Sequence, residues 1–290
     1  MIVLNKEEII DCEYWDRTIM TLGLWEDLKN ARTIVIKPNF AAGTHIDPKT
    51  HVMTDQALLR TTIKNVHRIN PNAVIYIAES DSTGYGFAFL KFEHLNLPMS
   101  LGLNEDELKK INLLDLSRDR LIQVENKKFK RYKNIDSQLW LSETLIKADF
   151  IINLCNLKTH TVTGFTGACK NLFGCLPDFE KYHNHPFIHH TIHDLVIALQ
   201  PNLNIVDAFY GMQRNGPVQG EDVDSGYRVF SNDAFEADVY ASTTIGYKPQ
   251  SVKYLRLLSS TIEKSFDTDA NIVSKYRRAD HFVRVMNYVG

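Results

Sequence analysis

The segment from Lys158 to Asn171 gathers more reactive side chains than any other part of this sequence. It reads Lys158-Thr159-His160, then Thr163-Gly164-Phe165-Thr166-Gly167-Ala168-Cys169-Lys170-Asn171. Gly164 and Gly167 permit close approach of the backbone to a ligand. Thr163 and Thr166 offer hydroxyl groups, and Lys158 and Lys170 offer positive charge. A helix starting near Thr166 would add free N–H groups. Together these point to a bound carboxylate or phosphate. The competing interpretation is a tight turn before a helix, with solvated lysines. His160 could serve as an acid/base group or as a ligand. Lys170, if buried, would have a lowered pKa and could act as a base or nucleophile. The glycine spacing does not match the phosphate loop of nucleotide hydrolases.

Six of the eleven histidines lie between His160 and His193. His183 and His185 stand two apart, and His189 and His193 share a helical face. Such spacing suits a divalent metal, or else a solvated polar face. The glutamate of a metalloprotease helix is missing after His189. Cys12, Cys155, Cys169 and Cys175 form no closely spaced pair, so free thiols in a reducing cytoplasm are expected.

The elements that must position these groups alternate in type. Short apolar runs at 33–36, 73–78, 150–154 and 203–206 read as strands. Residues 54–69, 142–148, 188–199 and 233–245 read as helices, with Asp55 or Thr54 and Ser142 as caps. Strands apolar on both faces and separated by helices predict an α/β fold, a mostly parallel sheet with helices on both faces. Ligands of such sheets bind beyond the carboxyl ends of the strands. Those ends carry Lys37-Pro38-Asn39, Glu79-Ser80-Asp81-Ser82, Cys155 to His160, and Asp207. Glu79 and Asp207 could accept protons, bind metal or cap the following helix.

The chain has 290 residues, 44% hydrophobic and 23% charged, with a net charge of −2, a length that allows one large α/β domain or two small ones; one domain over 1–290 is expected. An irregular polar insertion is expected near 102–140, containing the basic run Lys127-Lys128-Phe129-Lys130-Arg131. The tail from Glu263 to Gly290 reads as a terminal helix or a partner contact. The near-neutral charge argues against a nucleic-acid partner. No apolar run reaches the length of a membrane span, and no secretory signal is visible, so a cytoplasmic location is expected. Oligomeric state stays open.

The chain resembles domain-of-unknown-function family 362. The resemblance rests on Ile36-Lys37-Pro38-Asn39, Glu79-Ser80, Ala148 to Asn153, and Leu157-Lys158-Thr159-His160. It continues through Thr163 to Gly174, then Lys181, His185, His189, Asp194-Leu195, Pro201-Asn202-Leu203 and Ile205-Val206-Asp207. Asn215-Gly216-Pro217 with Gly220, and Asp233 with Asp238, complete it. Many members carry a ferredoxin-like module of four close cysteines. That pattern is absent from this sequence, so no iron–sulfur cluster is expected.

His160 to His185 is also similar to the N-terminal domain of the nickel-pincer lactate racemases. This second resemblance implies a racemase-like fold, an acid/base role for His160 and a cofactor contact for Lys170. It further implies metal ligation by His185 or His183. Lys37-Pro38-Asn39 stands where the racemases carry a phosphate motif, so architecture and site location carry over, but not nickel or lactate. The function expected from residues and resemblance together is an enzyme binding a small anionic substrate or cofactor through Lys37, Asn39, Glu79, Thr163, Thr166, Asn171 and Asp207. His160, Lys170 and Lys158 would carry proton transfer, isomerisation or metal-assisted redox chemistry, with a divalent metal on His183, His185 and His189. The alternative is a non-catalytic carrier of a metal or cofactor.

Overall fold

The computed structural model describes residues 1–40, 52–81, 104–132, 138–179, 181–216 and 219–278. Ser82, Pro217, Val218, positions 102–103 and 133–137 of the expected insertion, and the tail beyond 278 lie outside the described residues.

A sheet built from nine of the described strands forms the centre. In chain order the strands are β1 (Ile2–Asn5), β2 (Thr33–Lys37), β3 (Val74–Glu79), β4 (Ile111–Asp115), β5 (Leu121–Val124), β6 (Leu139–Ser142), β7 (Phe150–His160), β8 (Gly164–Thr166), β9 (Leu203–Asn215), β10 (Gln219–Asp224) and β11 (Arg228–Ser231). The main path runs β1-β11-β9-β7-β2-β3-β4, with β8 on β7 and β10 on β9, while β5 and β6 form a separate hairpin. The pairs β9·β7, β7·β2, β2·β3 and β3·β4 are parallel, and β11 and β1 close the other side antiparallel.

The described helices are α1 (Cys12–Thr21), α2 (Trp25–Asn30), α3 (Gln56–Ile69), α4 (Glu105–Leu108), α5 (Glu143–Ile146), α6 (Ala168–Asn171), α7 (Ile188–Leu199), α8 (Ala234–Thr244) and α9 (Lys253–Ile262). Alternate strand residues face opposite layers, as the strand period of two requires. Ile34, Ile36, Ile75 and Ile77 pack with Trp15, Leu28, Leu59 and Ile63 of α1–α3. Val35, Ile151, Cys155 and Val206 pack on the other face with Ile192, Leu195, Phe235 and Leu258 of α7–α9. The expected fold is therefore present: a mostly parallel sheet with helices on both faces. Three helices read from the sequence start at side-chain caps, with Asp55 accepting from Leu58 N, Ser142 from Leu145 N and Asp233 from Glu236 N.

The region read as an irregular insertion is more ordered than its composition suggests. Ile111–Asp115 joins the main sheet as its edge strand. The basic run beyond it is tied down by one carboxylate. Buried Asp194 of α7 accepts from the backbone N–H groups of Lys130, Arg131 and Tyr132 at 2.7, 2.8 and 3.0 Å. Phe129 is buried in the core, and the Arg131 guanidinium lies 4.3 Å from the centre of the Phe187 ring.

The chain runs β2 to β3 to β4 in one direction, then returns to lay β7 on the opposite side of β2. The β2–β7 boundary is thus the point where strand order reverses, the usual place for a ligand in an open α/β sheet.

Candidate functional site

Strand β7 does not end at Leu154. All of Phe150–His160 is extended and buried, because β9 flanks it along one edge and β8 folds back along its end. Cys155 to His160 therefore belongs to a strand rather than a loop. A turn at 161–163 leads into β8, where Gly164 adopts φ +84°, a backbone state that favours glycine. Helix α6 follows, two residues after Thr166. Gly167 does approach another group closely, but that group belongs to the protein. A Cβ there would lie 2.2 Å from Asp238 Oδ1. Asp238 reaches from α8 to accept from the N–H groups of Ala168 and Cys169 at 2.5 and 3.1 Å. Burial raises its pKa to about 7. Asp238 thereby anchors the short helix that carries Lys170 and Asn171.

Polar side chains interlock where β2 and β7 meet. Lys158 Nζ donates to Asn39 Oδ1 at 2.8 Å and to Val52 O at 2.6 Å. Asn39 Nδ2 donates to Asn171 Oδ1 at 2.7 Å, and Asn171 Nδ2 donates to Asn153 Oδ1 at 2.8 Å. Asn153 Nδ2 continues to Asn204 Oδ1 at 2.9 Å. Four buried amides thus run head to tail from the Lys158 ammonium. Each amide polarises the next, which stiffens the floor of the site.

A cavity of about 120 Å³ opens above this floor, between the ends of β2 and β3 and the α6 region. Lys37, Lys170 and Lys181 line it, against a single carboxylate among the described residues, Glu79. Lys37 Nζ sits 2.8 Å from Glu79 Oε2 and 2.6 Å from Pro38 O. Glu79 also accepts from Phe40 N and Ser80 N. Gly174 makes room for this pair, since a Cβ there would fall 2.8 Å from Lys37 Nζ. Lys181 Nζ donates to the carbonyls of Ser80 and Asp81, both at 3.2 Å, and burial lowers its pKa to about 8.

Lys170 differs from these. Among the described residues its ammonium has neither a hydrogen-bond nor an ion-pair partner, only the Phe173 ring at 5.9 Å. Its side chain is partly exposed, yet desolvation lowers its pKa to about 8. The Thr166 hydroxyl on the same cavity wall is 2% exposed and also lacks a partner.

His160 is buried, and its Nδ1 accepts from Val162 N at 3.0 Å and Thr163 N at 3.3 Å. Burial first, then the charges of Lys170 and His185, push its pKa well below the usual histidine value. The imidazole is neutral at pH 7, and its proton sits on Nε2. Thr163 is turned inward, its hydroxyl donating to Phe165 O at 3.0 Å.

The structure brings Lys37, Asn39, Glu79, Thr166, Lys170 and Asn171 around one cavity, with Lys158 beneath and His160 within electrostatic reach of Lys170. Asp207 stands elsewhere. It is paired with Arg228 Nε at 3.1 Å, in register across β9 and β11. The histidines also separate. His183 is exposed, and the His185 ring meets Phe173 edge to face at 5.9 Å. The His189 ring stacks 6.1 Å from Tyr254, with Nδ1 buried and unpartnered, and its pKa is lowered by burial to about 4. His193, sharing its helical face, is fully buried between Asp194 Oδ1 at 2.7 Å and Thr261 Oγ1 at 2.8 Å. No group of three histidine, cysteine, aspartate or glutamate side chains is placed to hold a metal among the described residues. Cys155, Cys169 and Cys175 are buried free thiols whose pKa values burial raises, that of Cys175 to about 12.

Sequence reasoning left Lys181, Asn153 and Asp238 without roles. The first two act through pairings more than fifty residues away, which no local pattern displays. Gly167 was the available signal for Asp238, because a glycine before a helix marks close approach without naming the partner. No helix of the described residues is long and apolar enough to cross a membrane.

The thylakoid-associated protein sll1697 of Synechocystis sp. is 22% identical over 237 residues, 79% of this chain and 68% of that protein. Among solved structures, the lactate racemase apoprotein of Thermoanaerobacterium thermosaccharolyticum superposes with a TM-score of 0.46 at 14% identity. That alignment covers 76% of this chain and 52% of the racemase chain, so the present chain spans about half the length of that structure. A family profile matches residues 34–243, from the first parallel strand through the helix that supplies Asp238. The cavity, its amide floor and its anchoring carboxylate all fall inside that span, and the chain belongs to the domain of unknown function family DUF362.

Proposed function

We propose that this chain is an enzyme that binds a small anionic substrate or cofactor in the Lys37–Lys170–Lys181 cavity and moves a proton there. One observation carries the reading. Three ammonium groups face one carboxylate in a space of about 120 Å³, and one of the three has no partner among the described residues. Unpaired charge in a desolvated site is costly, and an anionic ligand removes that cost. Carboxylate or phosphate oxygens would accept from Lys170, Lys181 and the Thr166 hydroxyl.

The proton-transfer role falls to Lys170. A pKa of about 8 lets it hold or release a proton near neutral pH. His160 stays neutral and offers Nε2–H as a hydrogen-bond donor to charge that develops beside Lys170. Lys158 is committed to Asn39 and Val52, so it fixes the floor rather than meeting the ligand.

Calorimetric titration with acetate, propionate and inorganic phosphate tests the reading. Saturable binding of at least one probe is expected for the wild type. Lys170→Ala should weaken it at least tenfold while leaving the unfolding free energy within about 0.5 kcal/mol. Equal binding by Lys170→Ala, or no binding by the wild type, would overturn the assignment.

A further inference from the structure

Resting on the anion-site reading, we propose that Lys170 forms an imine and that the cavity takes a small 2-oxo carboxylic acid. The three cavity lysines are not equivalent. Lys37 is held by Glu79 and Pro38 O, and Lys181 by two backbone carbonyls. Both nitrogens are fixed in place as cations. Lys170 has no such fixed partner, so its protonated form adds to anion binding while its neutral form is available for another role. Its nitrogen faces an aromatic ring and has neither an acid nor a carbonyl to hold its charge among the described residues. The ring by itself favours the cation, but loss of water around the nitrogen lowers its pKa and keeps a share of it as a neutral amine with a free lone pair, the form that attacks a carbonyl carbon. At a pKa of about 8, roughly a tenth of the molecules carry that amine at pH 7.

Size restricts the electrophile. The space beside Lys170 is small, about 120 Å³. It suits an acid of a few carbons. The Thr166 hydroxyl, buried and unpartnered, supplies the remaining polar contact, a donor to the oxygen leaving the carbonyl carbon.

The step balances without an oxidant or reductant. The Lys170 lone pair forms a C–N bond to the keto carbon while the carbonyl π pair moves to oxygen. That oxygen takes one of the two amine protons to give a carbinolamine. The C–O bond then breaks, and the hydroxyl leaves as water with the second amine proton. The nitrogen lone pair forms the C=N bond. The carboxylate stays on Lys181 throughout.

The test incubates the full-length protein with pyruvate or glyoxylate and sodium cyanoborohydride, then reads intact mass and maps the labelled peptide. One reduced adduct per chain is expected, on Lys170, with excess propionate slowing its formation. Lys170→Arg keeps a cation and removes the nucleophile, so it should bind propionate yet yield no adduct. Adducts scattered over several lysines at the same rate in wild type and Lys170→Arg would overturn the proposal. No adduct in a wild type that binds propionate would also overturn it and leave the anion site standing. Neither adduct nor propionate binding would overturn both.

Discussion

Two cavity lysines share a pKa of about 8 for the same first cause, loss of water around the ammonium. Their protonation has a direct consequence for ligand affinity. An anion binds the charged form, so its affinity is full while both lysines hold their protons. Above about pH 8 the free protein begins to lose them, and binding must take protons up again. Propionate affinity is therefore expected to hold level below about pH 8 and to fall above it, approaching about tenfold per unit for each proton taken up. Calorimetry across that range checks this, with proton uptake read from the buffer dependence of the heat. Affinity unchanged to about pH 10 would mean that neither lysine meets the ligand. His160 does not enter this profile, because its pKa is held well below the usual histidine value and it is already neutral throughout.

At the scale of elements, α6 is only four residues long and cannot hold its own geometry. Its position comes from Asp238 on α8, and Gly167 is the residue that lets the carboxylate reach it. Gly167→Ala would drive a Cβ to 2.2 Å from Asp238 Oδ1. A loss of about 1–3 kcal/mol is expected from urea unfolding, together with weaker propionate binding as Lys170 shifts with the helix. Unaltered stability and affinity would show that α6 is placed by something else. A similar device holds the basic segment. Asp194→Ala strands three N–H groups, and faster proteolysis between Asn126 and Tyr132 is expected, with stability reduced by about 1–3 kcal/mol.

These devices explain what could and could not be read from the sequence. The four sequence-derived helices appear because periodicity is local, and the two caps read from the sequence, at Asp55 and Ser142, are in place. Phe150 to Leu154 was legible as a strand, but its continuation to His160 was not. Asn156, Lys158, Thr159 and His160 read as loop residues, and only the buried partners on β8, β9 and residues 39 and 52 keep them extended. Strand β4 was hidden for a related reason. Ile111–Asp115 reads Ile-Asn-Leu-Leu-Asp, too short and mixed to stand out as a strand, and nothing nearby in sequence reveals that β3 is its neighbour. Lys37, Glu79 and Lys170 are legible as candidates because they stand at strand ends or near glycines. Lys181 opens a short 3-10 helix far from β2 and β3 in sequence, so its place in the cavity depends wholly on the fold.

The whole sheet divides the chain's polar strand ends into two groups, and only one lies around the candidate cavity. Reversal of strand order opens a cleft between β2 and β7, where Lys37, Asn39 and Lys158 emerge. Asp207 emerges from β9, beyond the cleft and toward the antiparallel side. There the neighbour is Arg228 of β11, whose guanidinium also donates to the carbonyls of Glu7 and Glu8 and lies 4.6 Å from the Phe209 ring centre. The pair joins the N-terminal segment to the antiparallel end of the sheet, and both side chains are buried. Burial raises the Asp207 pKa even though Arg228 and Phe209 N oppose the shift. This is a scaffold role, and it predicts a separation of effects. Asp207→Ala should lower unfolding free energy by about 3–5 kcal/mol, because it leaves the Arg228 charge buried without its partner. Propionate affinity per folded molecule and the yield of reduced adduct on Lys170 should match the wild type. If affinity fell tenfold in protein shown by circular dichroism to be folded, Asp207 would have to reach the ligand. The site would then extend across β7 into the antiparallel half of the sheet.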